Sequence, residues 1–186
     1  MIPSASSALL DAAAGLFGRH GFDRTSVQAV ADAAGYSKAG LLHHFPTKLA
    51  LYQAVLQECR VESERVRDRV RSLPVGAERD RRAIELLVDL SLARPGLVSV
   101  LLSTVVPMGD DDTTELDALG DPLFEAFADA PPSGARQIRL TGALVTLGVL
   151  SLEARRSDNA SEWRNEIVNT SFDTLGHSVP PASLAD

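Results

Sequence analysis

His43-His44, the single cysteine Cys59, the run Asp110-Asp111-Asp112 and the only two lysines, Lys38 and Lys48, are the residues whose types and spacing invite a chemical reading. Adjacent histidines on a helix diverge by about 100°, so they do not easily serve one metal ion. The three aspartates lack the glycine-punctuated spacing of a calcium loop and read as a solvated loop. Cys59 has no histidine near it in sequence to act as a base. A Gly-rich phosphate loop, HExxH, CxxC and G-x-S-x-G are all absent. The expectation is no catalytic residue, no metal, no cofactor and no enzyme activity. What remains is non-covalent chemistry: two lysines and two histidines clustered between residues 38 and 48, hydrogen-bond donors suited to phosphate, with Lys38 also suited to a guanine edge.

The elements that must position this cluster lie between Thr25 and Lys48. Ser26 is placed to cap a first short helix, in which Val27, Val30, Ala31 and Ala34 form a narrow apolar stripe. Gly35 ends it, since glycine takes the left-handed conformation at little cost. Tyr36 packs inward, and Ser37 caps a second short helix running to Phe45. Leu41, Leu42 and Phe45 point back to the first helix. Lys38, Ala39, Gly40, His43 and His44 are left outside. A helix of this size fits a DNA major groove, with the preceding helix bracing it across the backbone. Ala39 and Gly40 permit close approach, and glycine inside a helix otherwise costs about 1 kcal/mol relative to alanine. Lys38 can meet a phosphate or a base edge. His43, His44 and Lys48 face phosphates, and Gln28 reaches from the bracing helix. Thr25, Ser26 and Ser37 complete the candidate DNA-facing set. Thr47 caps the helix that follows.

Over residues 7 to 55 this ordered set resembles the TetR family of bacterial transcriptional regulators. The residues that carry the resemblance are an alanine-rich first helix, Gly21-Phe22, Thr25-Ser26-Val27, Ala34-Gly35, Ser37-Lys38, His44-Phe45-Pro46 and Lys48. Two positions depart from the family pattern. Leu42 stands where a phosphate-contacting tyrosine is usual, and Gly40 where a threonine is common. The resemblance implies a homodimer paired through its last two helices. It also implies a pseudo-palindromic double-stranded DNA operator, a small-molecule effector that releases it, and repression as the usual mode.

Strand signals are nearly absent, so the expected fold is all-α with about nine helices. A three-helix helix-turn-helix head (1–48) is joined by a connecting helix (49–72) to an effector-binding and dimerisation body (73–177), with a structureless tail at 178–186. The first helix runs from about Ser7 to His20 and Gly21 ends it. The long fourth helix, from about Thr47 to Ser72, carries a seam of Leu49, Tyr52, Leu56, Cys59, Ser63, Val66 and Val70. Leu97 to Val106 is apolar on nearly all sides and should be central to the body. Net charge is −7, but unevenly spread. Residues 1–72 carry 9 Lys+Arg against 7 Asp+Glu, whereas residues 73–186 carry 9 against 18. The acidic half would avoid DNA and the other half can approach it.

Two apolar-rich helices are expected at about Ala135–Arg156 and Ser161–Gly176. Ile138, Leu144, Val145, Val149 and Leu152 in the first, with Ile167, Val168, Phe172 and Leu175 in the second, exceed what one stripe uses and imply a partner surface, which the family resemblance assigns to the dimer interface. Cys59, Glu62, Ser63, Thr104, Met108, Phe127, Leu147 and Trp163 are candidates to line a mainly apolar cavity. One cysteine and no signal or membrane-spanning run point to a cytoplasmic protein without membrane contact. The competing reading is a helical, dimeric small-molecule binder or scaffold without DNA-binding activity.

Overall fold

The computed structural model describes residues 5–105, 121–128 and 133–177, with side chains at all of these except 5, 6 and 104. Eight helices are described: α1 (Ala5–Arg24), α2 (Val27–Ala34), α3 (Lys38–His44), α4 (Lys48–Val70), α5 (Ala77–Ala93), α6 (Pro95–Val105), α7 (Gly134–Arg156) and α8 (Ala160–Thr174). A further helical segment covers 121–125, and no strand occurs among the described residues. The fold is all-α, with an N-terminal helix-turn-helix and a helical body. The Asp110–Thr114 loop and the 178–186 tail lie outside the described residues.

Helix α1 breaks where the sequence expects. Gly21 has φ 76° and ψ 168°, which interrupts the helix before a last turn to Arg24. In α4 the seam differs from expectation in its first turns. Leu49 is 52% exposed and Leu51 and Val55 are buried instead. From Leu56 onward the expected positions Cys59, Ser63, Val66 and Val70 are all buried. The first half of α4 packs into the head core with Phe17, Val30 and Leu41. Its second half packs into the body core with Ile84, Leu87 and Leu140.

Helix α6 is apolar all round because it is wedged between these two cores. Leu97, Val100 and Leu101 join the head cluster, while Val105 packs against the body cluster. Among the described helices, α1 and α6 make the most extensive contact. Glycines permit it. The Gly96 backbone lies so close to Asp11 that a Cβ there would collide with the Asp11 carbonyl oxygen. A Cβ on Gly18 would come within 2.7 Å of the Ser99 backbone, and one on Gly15 would touch the Gly96 Cα at 3.5 Å. The Asp11 carboxylate accepts a hydrogen bond from the Leu97 amide (3.0 Å), satisfying one free donor at the start of α6. Buried Arg94 donates to Glu58 (3.1 Å) and to the Ser7 carbonyl (3.2 Å), so it ties α1, α4 and the α5–α6 junction together.

A second clasp closes the far end. Asp80 is fully buried at the start of α5. It accepts from Arg136 of α7 at 2.7 and 2.8 Å and lies 2.6 Å from His177 Nε2. The His177 ring stacks on Phe172. Arg79 donates to the carbonyls of Ala126 (3.0 Å) and Glu125 (2.8 Å), which holds the 121–127 segment to the body.

Gly96→Ala is the sharpest test of the α1–α6 crossing. Because backbone, not a flexible side chain, occupies the space, the expected loss is about 2 kcal/mol or more, or a Tm lower by roughly 5 °C or more by circular dichroism. An unchanged Tm would mean that the two helices do not meet as closely as described.

Candidate nucleic-acid interface

Each cap that positions the short helices is made by the expected side chain. Ser26 Oγ accepts from Ala29 N–H (3.0 Å), Ser37 Oγ from Gly40 N–H (3.0 Å) and Thr47 Oγ1 from Ala50 N–H (3.0 Å). Gly35 sits at φ 73°, ψ 25°, the left-handed turn that lets Tyr36 N–H reach the Ala31 carbonyl (2.8 Å). Val30, Ala31 and Leu41 are fully buried between the helices. The turn is thereby fixed, and α3 presents Lys38, Ala39, His43 and His44 to solvent. Lys38 has no carboxylate partner among the described residues. The His44 ring meets Tyr36 edge-on at 6.1 Å and the His43 ring at 5.7 Å. No group of three metal-ligating side chains occurs among the described residues.

Three members of the expected DNA-facing set sit differently. Thr25 is only 3% exposed, and its hydroxyl donates toward the carbonyls of Gly21 (2.8 Å) and Leu16 (3.3 Å). Its side chain braces the α1–α2 junction and is withdrawn from solvent. Gly40 is half-buried, and a Cβ there would press on the Ser37 hydroxyl at 3.1 Å. The cap does not by itself require glycine, since Ala29 and Ala50 donate from the same position to Ser26 and Thr47. Lys48 Nζ donates to the carbonyls of Phe22 (2.9 Å) and Asp23 (3.3 Å) and lies 4.2 Å above the Phe22 ring. A cation at the carbonyl end of α1 is favourably placed, so Lys48 first joins α4 to α1. Gln28 is exposed and donates to Asp32 (2.7 Å).

A model of bacterial regulatory proteins of the tetR family matches residues 9–55. The A-factor receptor protein of Streptomyces griseus is 30% identical over 190 residues, 96% of this chain and 68% of that one. The chain belongs to the TetR family. It is therefore a DNA-binding transcriptional regulator and not an enzyme. The regulator RutR of Escherichia coli (strain K12) is 42% identical over 57 residues, 31% of this chain and 27% of that one. The fold is shared with the TetR family regulator PfmR of Thermus thermophilus at a TM-score of 0.59 and 19% identity, covering 94% of this chain and 96% of that one.

In the TetR-family body, α5, α6, α7 and Leu123 of the 121–125 segment line a partly open apolar cavity whose wall includes Leu90, Ser91, Leu101, Val105, Leu144 and Leu147. The Ser91 hydroxyl donates to the Leu87 carbonyl (2.7 Å). Of the expected lining residues, Leu147 is in this wall. Phe127 is fully buried core, and Trp163 packs half-buried against the same cluster. The three α4 candidates are elsewhere. Cys59 is buried in the head cluster against the Leu97 carbonyl. Glu62 pairs with Arg65 at 2.6 Å. Ser63 is fully buried, its hydroxyl without a partner. None of the three lines the cavity. The Thr104 side chain and Met108 lie outside the described residues. Burial pushes the Cys59 thiol up to about 12, which leaves it protonated and unreactive.

The expected self-association surface also divides. Leu144, Ile167, Val168, Phe172 and Leu175 are buried inside the protomer's own core. In α8 every apolar position is consumed there, and the exposed positions Glu162, Glu166, Asn169 and Asp173 are polar. The unpartnered stripe is on α7. Ile138 (74% exposed) and Val149 (53%) share one helical face with half-buried Val145 and Leu152.

Residues absent from the sequence-based set are those that join head to body: Asp11, Gly15, Gly18, Arg94 and Gly96. Burial raises the Asp11 carboxyl above its ordinary value, against the Leu97 and Gly96 amides and Arg94. A carboxyl whose folded pKa lies above its unfolded value of about 3.9 favours folding most when protonated, and that contribution is lost as pH rises through the folded value. Asp11→Asn removes this titration. Urea denaturation of both proteins at about pH 3.5 and pH 7 should show wild type losing stability relative to Asp11→Asn at the higher pH. A difference that stays constant or moves the other way removes the burial penalty assigned to Asp11.

Proposed function

We propose that this chain is a cytoplasmic, homodimeric repressor that binds a pseudo-palindromic operator and is released by a small, largely apolar molecule. Residues 1–48 act as the reading head, 49–72 as the connecting helix and 73–177 as the sensing and pairing body. The observation that carries the reading is the outward face of α3. Lys38, Ala39, His43 and His44 stand exposed on a helix whose caps and core hold it rigidly. One such helix reads few base pairs, so two copies related by a twofold axis supply the length of a site. Pairing along Ile138, Val145, Val149 and Leu152 of α7 covers the stripe that the protomer leaves open.

Release follows from the cavity's size and wall. Its free volume is about 30 Å³, room for about one or two waters, whereas drug-sized ligands occupy roughly 300–1,000 Å³. A ligand of that size is accommodated if the walls of this partly open pocket move apart. Leu101 and Val105 of that wall belong to α6, and α6 is backed by α1 through Gly96, Gly18 and Asp11. Displacement is thus transmitted to the head along α6 and α1, in addition to any tilt of α4. Leucine and valine dominate the lining, which favours an apolar ligand. The ligand releases DNA only if it binds the displaced conformation more tightly.

Selection of duplexes from a random pool by the full-length chain, followed by titration across a salt series, tests the reading. A two-half-site motif should be enriched, with affinity falling steeply as salt rises. Lys38→Ala should cost about 1–3 kcal/mol and relax specificity. Ile138→Glu with Val149→Glu should give monomers that bind the selected site about 100-fold or more weakly. No enrichment of any duplex at low salt overturns the regulator mechanism. A double-glutamate variant that stays dimeric overturns the assigned pairing surface.

A further inference from the structure

We propose that the basic face of α1, formed by Arg19, His20 and Arg24, is a second phosphate-binding surface that extends the DNA footprint beyond α2 and α3. The proposal rests on the DNA-binding reading above and adds contacts outside the helix-turn-helix set. A groove of about 380 Å³ runs between α1 and α2, lined by Leu16, Arg19, His20, Arg24, Thr25 and Ala29. Its floor is fixed by the buried Thr25 and the half-buried Leu16. Its rim carries the exposed side chains of Arg19, His20 and Arg24, and the two arginines make it cationic.

No carboxylate among the described residues pairs with these three. Elsewhere arginines commonly lie against acids: Arg67 on Glu125, Arg94 on Glu58, Arg136 on Asp80 and Arg164 on Asp89. Arginines left without a carboxylate beside a groove are free for an external anion. Arg24 Nε donates to the His20 carbonyl (3.0 Å), which orients the guanidinium and leaves its two terminal nitrogens open. Asp23 is exposed on the same turn of α1 and makes no ion pair with them. Across the groove, Asp32 is engaged by Gln28. Arg24 stands two residues before Ser26, the cap of α2, and α2 is the helix that crosses the sugar-phosphate backbone in this kind of head. A strand passing the start of α2 therefore passes this groove. An acidic protein segment would also suit the cations, but the groove opens beside the element that contacts the duplex.

Salt-dependent titration of the full-length chain onto a labelled duplex of about 30 base pairs tests this directly. Compared with wild type, Arg19→Ala with Arg24→Ala should bind at least about tenfold more weakly at low salt, and log K against log salt should be shallower by about 1.8 per bound protomer, about 0.9 for each lost contact. Arg19→Lys with Arg24→Lys should keep most of the slope, because lysine still offers a point charge to phosphate. Arg19→Ala alone leaves the Arg24–His20 bond intact and should remove about 0.9, which keeps the test readable if the double variant melts early. A double-alanine variant with wild-type affinity and slope, alongside a Lys38→Ala variant that is weakened, overturns this surface and spares the regulator reading. A wild-type chain that holds no duplex at low salt overturns both.

Discussion

The rest of the structure depends on a close backbone approach between α1 and α6. It is possible only because Gly15, Gly18 and Gly96 remove the Cβ atoms that would separate them. The contact is reinforced by polar groups that have no slack. Asp11 caps α6 from α1, and buried Arg94 spans Ser7, Glu58 and Asp11. An interface built from backbone and short bonds cannot deform continuously, as one made of long flexible side chains can. Any rearrangement of α6 must carry α1 with it or break the junction outright.

That constraint bears on how the proposed release operates. The connecting helix α4 is the visible link between head and body, yet the cavity is not bounded by it. The wall that leads to the head is α6, since Leu97, Val100 and Leu101 belong to the head core. Lys48 then spreads the motion, since it fastens the start of α4 to the carbonyl end of α1. Head orientation on this reading is set by two helices clamped to α1 at different points, which suits a switch with two discrete arrangements.

Local chemistry was legible in the sequence and partnership was not. Ser26, Gly35, Ser37 and Thr47 could be read because a cap or a left-handed turn is decided by a few neighbouring residues. The buried place of Thr25 and the carbonyl contacts of Lys48 could not be read, because their polar atoms suit phosphate and carbonyl equally and only the fold brings the Gly21, Phe22 and Asp23 carbonyls within reach. The role of Gly15 and Gly18 in α1 could not be read from their neighbours, because the helix they admit, α6, lies about 80 residues later. The α8 residues looked surplus because the sequence does not say that α5 and α7 both lean on that helix. Asp80 and Arg79 gave no sign at all, since charged residues in the first turn of a helix normally face water. The cavity candidates on α4 have other surroundings: Cys59 belongs to the head core and Glu62 pairs with Arg65 on the same helix.

The isolated thiol has a practical side. Cys59 is the only sulfhydryl in the chain, fully enclosed and held in its protonated form. One cysteine introduced at an exposed site on the head would therefore be the sole position open to a maleimide spin label or dye, with no need to remove the native residue. In a pair of such molecules the label-to-label separation reports directly how far apart the two heads stand, with and without DNA.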